Sequence, residues 1–122
     1  MYTVKSWLSS NALRVDPERY RMTEDSIEGI DWQSSNTSTP ANIAGVRAPL
    51  LIMAMTGHYW MVSSEIFYQR ATSRDKQLVF VEGASHNIVP CRACEVFPGQ
   101  YGDTVKTTFD HVANWLRERF TD

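Results

Sequence analysis

Two apolar runs constrain this chain more than anything else in its 122 residues. The first is Ala48-Pro49-Leu50-Leu51-Ile52-Met53-Ala54-Met55, stopped by Thr56-Gly57. The second is Leu78-Val79-Phe80-Val81 within Lys76 to Glu82, stopped by Gly83. Neither alternates apolar with polar, so each predicts a strand covered on both faces, as in a parallel sheet. Between them, Ser63 or Ser64 stands where it would cap a helix from about Glu65 to Ala71, with an acid in the first turn to suit the dipole. A loop holding Pro90, Pro98 and Gly99 follows the second run, and Asp103 then caps a last helix. Val105, Phe109, Val112, Leu116 and Phe120 recur there at helical spacing and predict its buried stripe. Strand, helix, strand, loop, helix is an α/β order with parallel pairing through a crossover. Two strands do not form a stable open sheet alone. The sheet is therefore expected to be part of a larger one, or to have its open edge covered by a second chain or a second copy.

The first forty residues are less periodic. Val4 to Leu13 predicts a helix with Val4, Trp7 and Leu8 on one side. Pro17 to Tyr20 suits a first helical turn, with Asp16 as its cap. Thr23 to Glu28 suits another short helix, stopped near Gly29. Gln33 to Pro40 is polar and rich in turn formers, and reads as a loop. The expected organisation is one incomplete α/β domain over 1–122: a helical and loop lead-in over 1–40, then a βαβα unit over 41–122.

Hydrophobic residues make up 43% and charged residues 21%, the balance of an ordinary soluble domain. The net charge of −2 comes with no long run of either sign. Nucleic-acid binders cluster basic residues on one face, and anionic lipid selects polybasic segments, so neither partner is expected. The N-terminal stretch has no apolar core of a signal peptide, and the longest apolar run is too short to span a bilayer. A cytoplasmic location is the expectation, and two cysteines fit it better than they fit a disulfide scaffold.

The second strand runs straight into Gly83-Ala84-Ser85-His86. A plain turn has no need of an imidazole, whereas open α/β sheets bind ligands beyond the carboxyl ends of their strands. VRAPLLIMAMTGHYW, a capped helix, KQLVFVEGASHN and a closing amphipathic helix together resemble the last third of an α/β-hydrolase, over roughly Val46 to Phe120. In that family the penultimate strand often follows an apolar-Pro pair, as at Ala48-Pro49, and the last strand ends in a Gly-x-x-His loop. The resemblance implies that His86 is the general base for a serine and then the general acid for the leaving group. It implies a small ester, thioester or other acyl substrate, and no metal or organic cofactor.

The rest of the family's machinery is less complete. No G-x-S-x-G nucleophile elbow occurs in the sequence, so the serine and the oxyanion hole would come from outside this chain. Ser85 does not suit the elbow, because Ile88-Val89-Pro90 follows where a helix should start; its base would be His111, expected on the solvent side of the last helix. The loop from Met55 to Trp60 lacks the family's usual carboxylate, leaving Glu65 and Asp31 as candidate acids. Trp60 and Tyr59 are candidates to line an acyl pocket. Cys91-Arg92-Ala93-Cys94 would need His86 and His58 to complete a zinc site, or a following helix to act as a redox pair. Two loop thiols near the site mouth are the simpler expectation. Two other functions fit the chain: a non-catalytic module that pairs with another chain, and a small isomerase or dehydratase using His86 as a lone base.

Overall fold

The computed structural model describes residues 3–23, 26–35, 37–58 and 61–120. The chain divides into two units, one formed by 1–50 with 62–76 and the other by 51–61 with 77–122.

In the first unit, helix α1 (Val4–Asn11) starts where the Thr3 hydroxyl accepts the Ser6 N–H at 3.1 Å. Its apolar residues Val4, Trp7 and Leu8 are exposed. Four two-residue strands follow: β1 (Arg14–Val15), β2 (Arg21–Met22), β3 (Ile27–Glu28) and β4 (Ile30–Asp31). They form two antiparallel pairs, β2–β3 lying inside β1–β4 in the chain. This differs from the short helices expected at Pro17–Tyr20 and Thr23–Glu28. The Asp16 carboxylate accepts the Glu18 N–H and the Asp16 carbonyl accepts the Tyr20 N–H, which closes a single turn around Pro17. Thr23 and Ser26 bond to each other and turn the chain from β2 into β3, where the β-branched Ile27 pairs with Met22. Glu24 and Asp25 lie outside the described residues. Gly29 separates β3 from β4 at a φ of +74°, with the Tyr20 backbone so close that no Cβ would fit.

The polar stretch before the second half ends in a short helix, α2 (Thr39–Asn42), with Pro40 in its first turn. Residues Ile43–Gly45 continue as a 3-10 turn. The segments that lead into the two longer strands are then tied to each other. Thr72 Oγ1 donates to the Ala44 carbonyl at 2.7 Å, and Ser73 Oγ to the Ala48 carbonyl at 2.7 Å.

Those strands are β5 (Leu50–Met55) and β6 (Lys76–Val81), joined through helix α3 (Met61–Arg70). Leu50 N–H donates to Asp75 and, at the other end, Thr56 N–H donates to Val81. The offset in sequence is the same at both ends, so the strands run parallel. The architecture is mixed: helices, one small parallel sheet and two antiparallel pairs. The ammonium of Lys76 donates to the carbonyls of Tyr68, in the last turn of α3, and Ala71, just past its end, which places a cation at the helix C-terminus. α3 starts at Met61, so Ser63 and Ser64 lie inside it rather than capping it, and Glu65 falls beyond the first turn.

The strands are not covered on both faces. Ile52 and Ala54 are buried while Leu51, Met53 and Met55 are only half-buried, and Phe80 is 47% exposed. Among the described residues the sheet has just these two strands, so each is an edge.

In the second unit, α4 (Thr104–Phe120) begins as expected: the Asp103 carboxylate accepts the Lys106 N–H at 2.9 Å. Its buried face is not the apolar stripe. Thr104, Thr108 and Trp115 are buried, while Phe109 is 59% and Phe120 62% exposed. The inward threonines bury at little cost because their hydroxyls are satisfied: Thr108 donates to the Thr104 carbonyl at 2.7 Å and Thr104 to the Ile88 carbonyl. The Thr104 hydroxyl therefore docks the start of α4 onto the loop that follows β6, while that of Thr108 bonds back within the helix.

Candidate functional site

Everything around His86 follows from how β5 and β6 end. At the end of β5, Gly57 N–H donates to the Ala84 carbonyl at 2.9 Å. At the end of β6, Gly83 N–H donates to the Thr56 hydroxyl at 2.7 Å. Gly83 has a φ of +65°, and a Cβ there would stand 2.0 Å from the ring of Tyr101. Only glycine meets both demands. The chain then pairs Ala84 with Pro90 in an antiparallel bridge, and Ser85 N–H donates to the Val89 carbonyl at 2.8 Å. The result is a tight loop with His86 and Asn87 exposed at its tip. Ile88, on the return side, has a φ of 71°. A β-branched side chain is strained there, at a cost of about 1–3 kcal/mol. Its N–H to Ser85 and its carbonyl, which accepts from Thr104, hold it in place.

His86 is brought beside His58, which follows β5. Their ring centroids are 4.9 Å apart with an interplanar angle of 35°. From the residues alone, His58 has no part except in a hypothetical zinc set. Its signal was position alone: each histidine lies just past the carboxyl end of one of two parallel strands. The pair sets two imidazoles side by side, with His86 the outer and His58 the half-buried member.

The other expected site residues fall elsewhere. Asp31 and Glu65 belong to the first unit, while His86 belongs to the second. The Asp31 carboxylate accepts the Gln33 N–H at 3.0 Å, an ordinary turn. Glu65 lines a cleft with Ile27, Trp32 and Arg70. Tyr59 and Trp60 lie outside the described residues. Ser85 opens the loop and is not followed by a helix, as expected.

A cleft of about 370 Å³ lies between β6 and α4, lined by Met53, Phe80, Glu82, Tyr101, Thr108 and His111 among others. His86 does not line it. His111 was expected in solvent; instead it faces this cleft, and its Nε2 is buried without a hydrogen-bond partner. The reason is the rotation of α4, which turns the Thr104, Thr108 and Trp115 side inward.

Cys91 and Cys94 are not free thiols. They form a disulfide, which removes them as zinc ligands. Among the described residues no group of three or more His, Cys, Asp or Glu is arranged to hold a metal ion, and no helix is long and apolar enough to cross a membrane. No protein-family model matches the chain, nor does any curated protein or solved structure.

Proposed function

We propose that this chain supplies the histidine half of an acyl-hydrolase site of the α/β-hydrolase type, acting on a small ester, thioester or related acyl compound. The observation that carries the reading is the exposed His86 on a short Gly-x-x-His loop just past the second of two parallel strands, with an amphipathic helix following. In this role His86 removes the proton of an attacking serine and returns it to the leaving group. In the same reading His58, in ring contact with it, helps to orient it. The serine and the oxyanion donors come from outside these residues, since the sequence has no G-x-S-x-G.

The test is hydrolysis of p-nitrophenyl acyl esters by the purified chain, with His86→Ala and a fluorophosphonate probe alongside. The expected result is a folded chain without turnover or serine labelling alone, and turnover that depends on His86 once a chain carrying the elbow is added. Labelling of the chain by itself would overturn the assignment of the nucleophile. Hydrolysis by the pair that survives His86→Ala would overturn the role of the histidine.

A second reading, a non-catalytic module that pairs with another chain, is favoured by a different observation. The apolar residues Phe109, Leu116 and Phe120 on α4 and Phe80 on β6 are all exposed. Runs of exposed aromatic and aliphatic side chains mark association surfaces. Sedimentation equilibrium checks this: self-association, or capture of a partner that lacks any hydrolytic elbow, supports the second reading over the first.

A further inference from the structure

The Cys91–Cys94 disulfide joins residues only three apart in sequence, with Cα atoms 5.2 Å apart. It ties no distant parts of the chain together, and in the chain-entropy account the shortest loops gain least from closure. Its surroundings are more informative. Cys91 N–H donates to the Gly83 carbonyl at 2.7 Å. The Cys91 Cβ also fills the space beside Gly57, where an added Cβ would stand 2.8 Å from it. The Cys94 carbonyl accepts the Tyr101 hydroxyl at 3.1 Å, and the Tyr101 ring is the group that covers Gly83. Both halves of the cystine thus bear on Gly83, the residue from which the His86 loop departs. The two residues differ in access: Cys94 is exposed and Cys91 half-buried. The intervening Arg92–Cys94 segment is a 3-10 turn, held by the ion pair of Arg92 with Glu95 at 2.7 Å.

We propose that Cys91–Cys94 is a thiol–disulfide exchange site for a dithiol reductant, and that opening it loosens the loop that carries His86. One thiol of the reductant loses its proton and its sulfur attacks the Sγ of Cys94, the more exposed of the two residues. The bond between the two cysteine sulfurs breaks, and Cys91 leaves as a thiolate that takes up a proton from water. The second thiol of the reductant then ionises and attacks the reductant's first sulfur, breaking that sulfur's bond to Cys94. Cys94 leaves as a thiolate and is protonated in turn. Two electrons pass from the dithiol to the cystine, the reductant ends as a disulfide, and the protons balance. Attack at Cys94 follows from access, because exchange requires the incoming sulfur to approach along the bond. The consequence at His86 follows from the contacts on Gly83 and does not rest on the hydrolytic reading.

The experiment uses the full chain in buffers of reduced and oxidised dithiothreitol, quenched and alkylated with iodoacetamide, with the ring C–H signals of His58 and His86 followed by NMR. The expected result is one reversible step from no alkylated cysteine to two. The His86 signals shift with the same midpoint while the Trp115 indole signal stays in place. Glutathione disulfide is expected to modify Cys94 in Cys91→Ser about tenfold faster than Cys91 in Cys94→Ser, from the difference in access. The wild-type titration stands even where a single-cysteine variant fails to fold. Two free thiols in the folded chain under oxidised dithiothreitol would overturn the proposal, as would a disulfide that resists excess reductant in the folded state. Full reduction with unmoved His86 signals would overturn the link to the loop. None of these readings is ester hydrolysis, so their failure leaves the hydrolytic reading as it stands.

Discussion

Gly83 shows how much a single position can decide. Its left-handed backbone and the ring of Tyr101 both exclude a side chain, whereas Gly99 has a φ of +78° with open space around it. Gly83→Ala is therefore expected to lower stability by more than about 2 kcal/mol, since strain and a clash with an aromatic ring add. Gly99→Ala meets strain alone and should cost about 1–2 kcal/mol. Urea midpoints of the two variants check the ordering, and equal costs would remove the Tyr101 contact from the account. The glycine before the histidine was legible because strand ends that turn sharply need it. The contact of His86 with His58 was not, because it depends on two separate segments ending side by side.

A charge pair on α4 offers a second test at this scale. Asp110 bonds to Lys106 one turn away and, by that bond and its charge, holds the ammonium above its ordinary value of 10.5, with Asp103 adding to the effect. A raised lysine pKa contributes stability that is present below 10.5 and is lost as pH rises through the folded value. Both partners are exposed, so little stability is involved. Asp110→Asn is expected to bring the Lys106 titration down toward 10.5, as followed by NMR at the lysine Cε.

At the scale of elements, α4 carries the clearest lesson. Its existence and its start at Asp103 could be read from periodicity and from a capping residue, both of which are local properties. Its facing could not. The stripe of Val105, Phe109, Val112, Leu116 and Phe120 is the more apolar side, yet Thr104, Thr108 and Trp115 are the buried ones. A periodicity says which residues share a side, not which side finds a neighbour. Here the loop after β6 offers a carbonyl at Ile88, which the Thr104 hydroxyl takes, and Tyr101 and Met53 line the facing cleft. Trp115→Ala is expected to cost about 3–5 kcal/mol, the usual range for removing a buried ring. Phe109→Gln, at an exposed site, should stay within about 0.5 kcal/mol. Thermal unfolding of the two variants decides the facing of the helix, and the reverse ranking would restore the apolar stripe as the core.

At the scale of the whole molecule, a few bonds tie together the segments that enter β5 and β6. Ser73 is buried and its hydroxyl lies within bonding distance of the Ala48 and Asp75 carbonyls. Ser73→Ala leaves those carbonyls without that donor and is expected to cost about 1–3 kcal/mol. Denaturant unfolding measures it, and a neutral variant would show that the register is fixed by the strands alone. Of the four strands in the two antiparallel pairs of the first unit, β3 falls within Thr23–Glu28, a stretch whose sequence suits a short helix, and the other three match no expectation from the sequence. Strands of two residues show no period at all, and only their partners define them.

The sequence by itself determined the elements whose signals are local. The apolar runs marked β5 and β6, Asp103 marked the start of α4, and Gly83 marked the turn that presents His86. The tertiary structure alone decided which faces are buried, that Cys91 and Cys94 are bonded, that His58 meets His86, and that the carboxylates Asp31 and Glu65 belong to the other unit. The physical reason is the same in each case. Propensity, capping and periodicity act over a few neighbouring residues, whereas burial and side-chain contact depend on segments that the chain brings together only by folding.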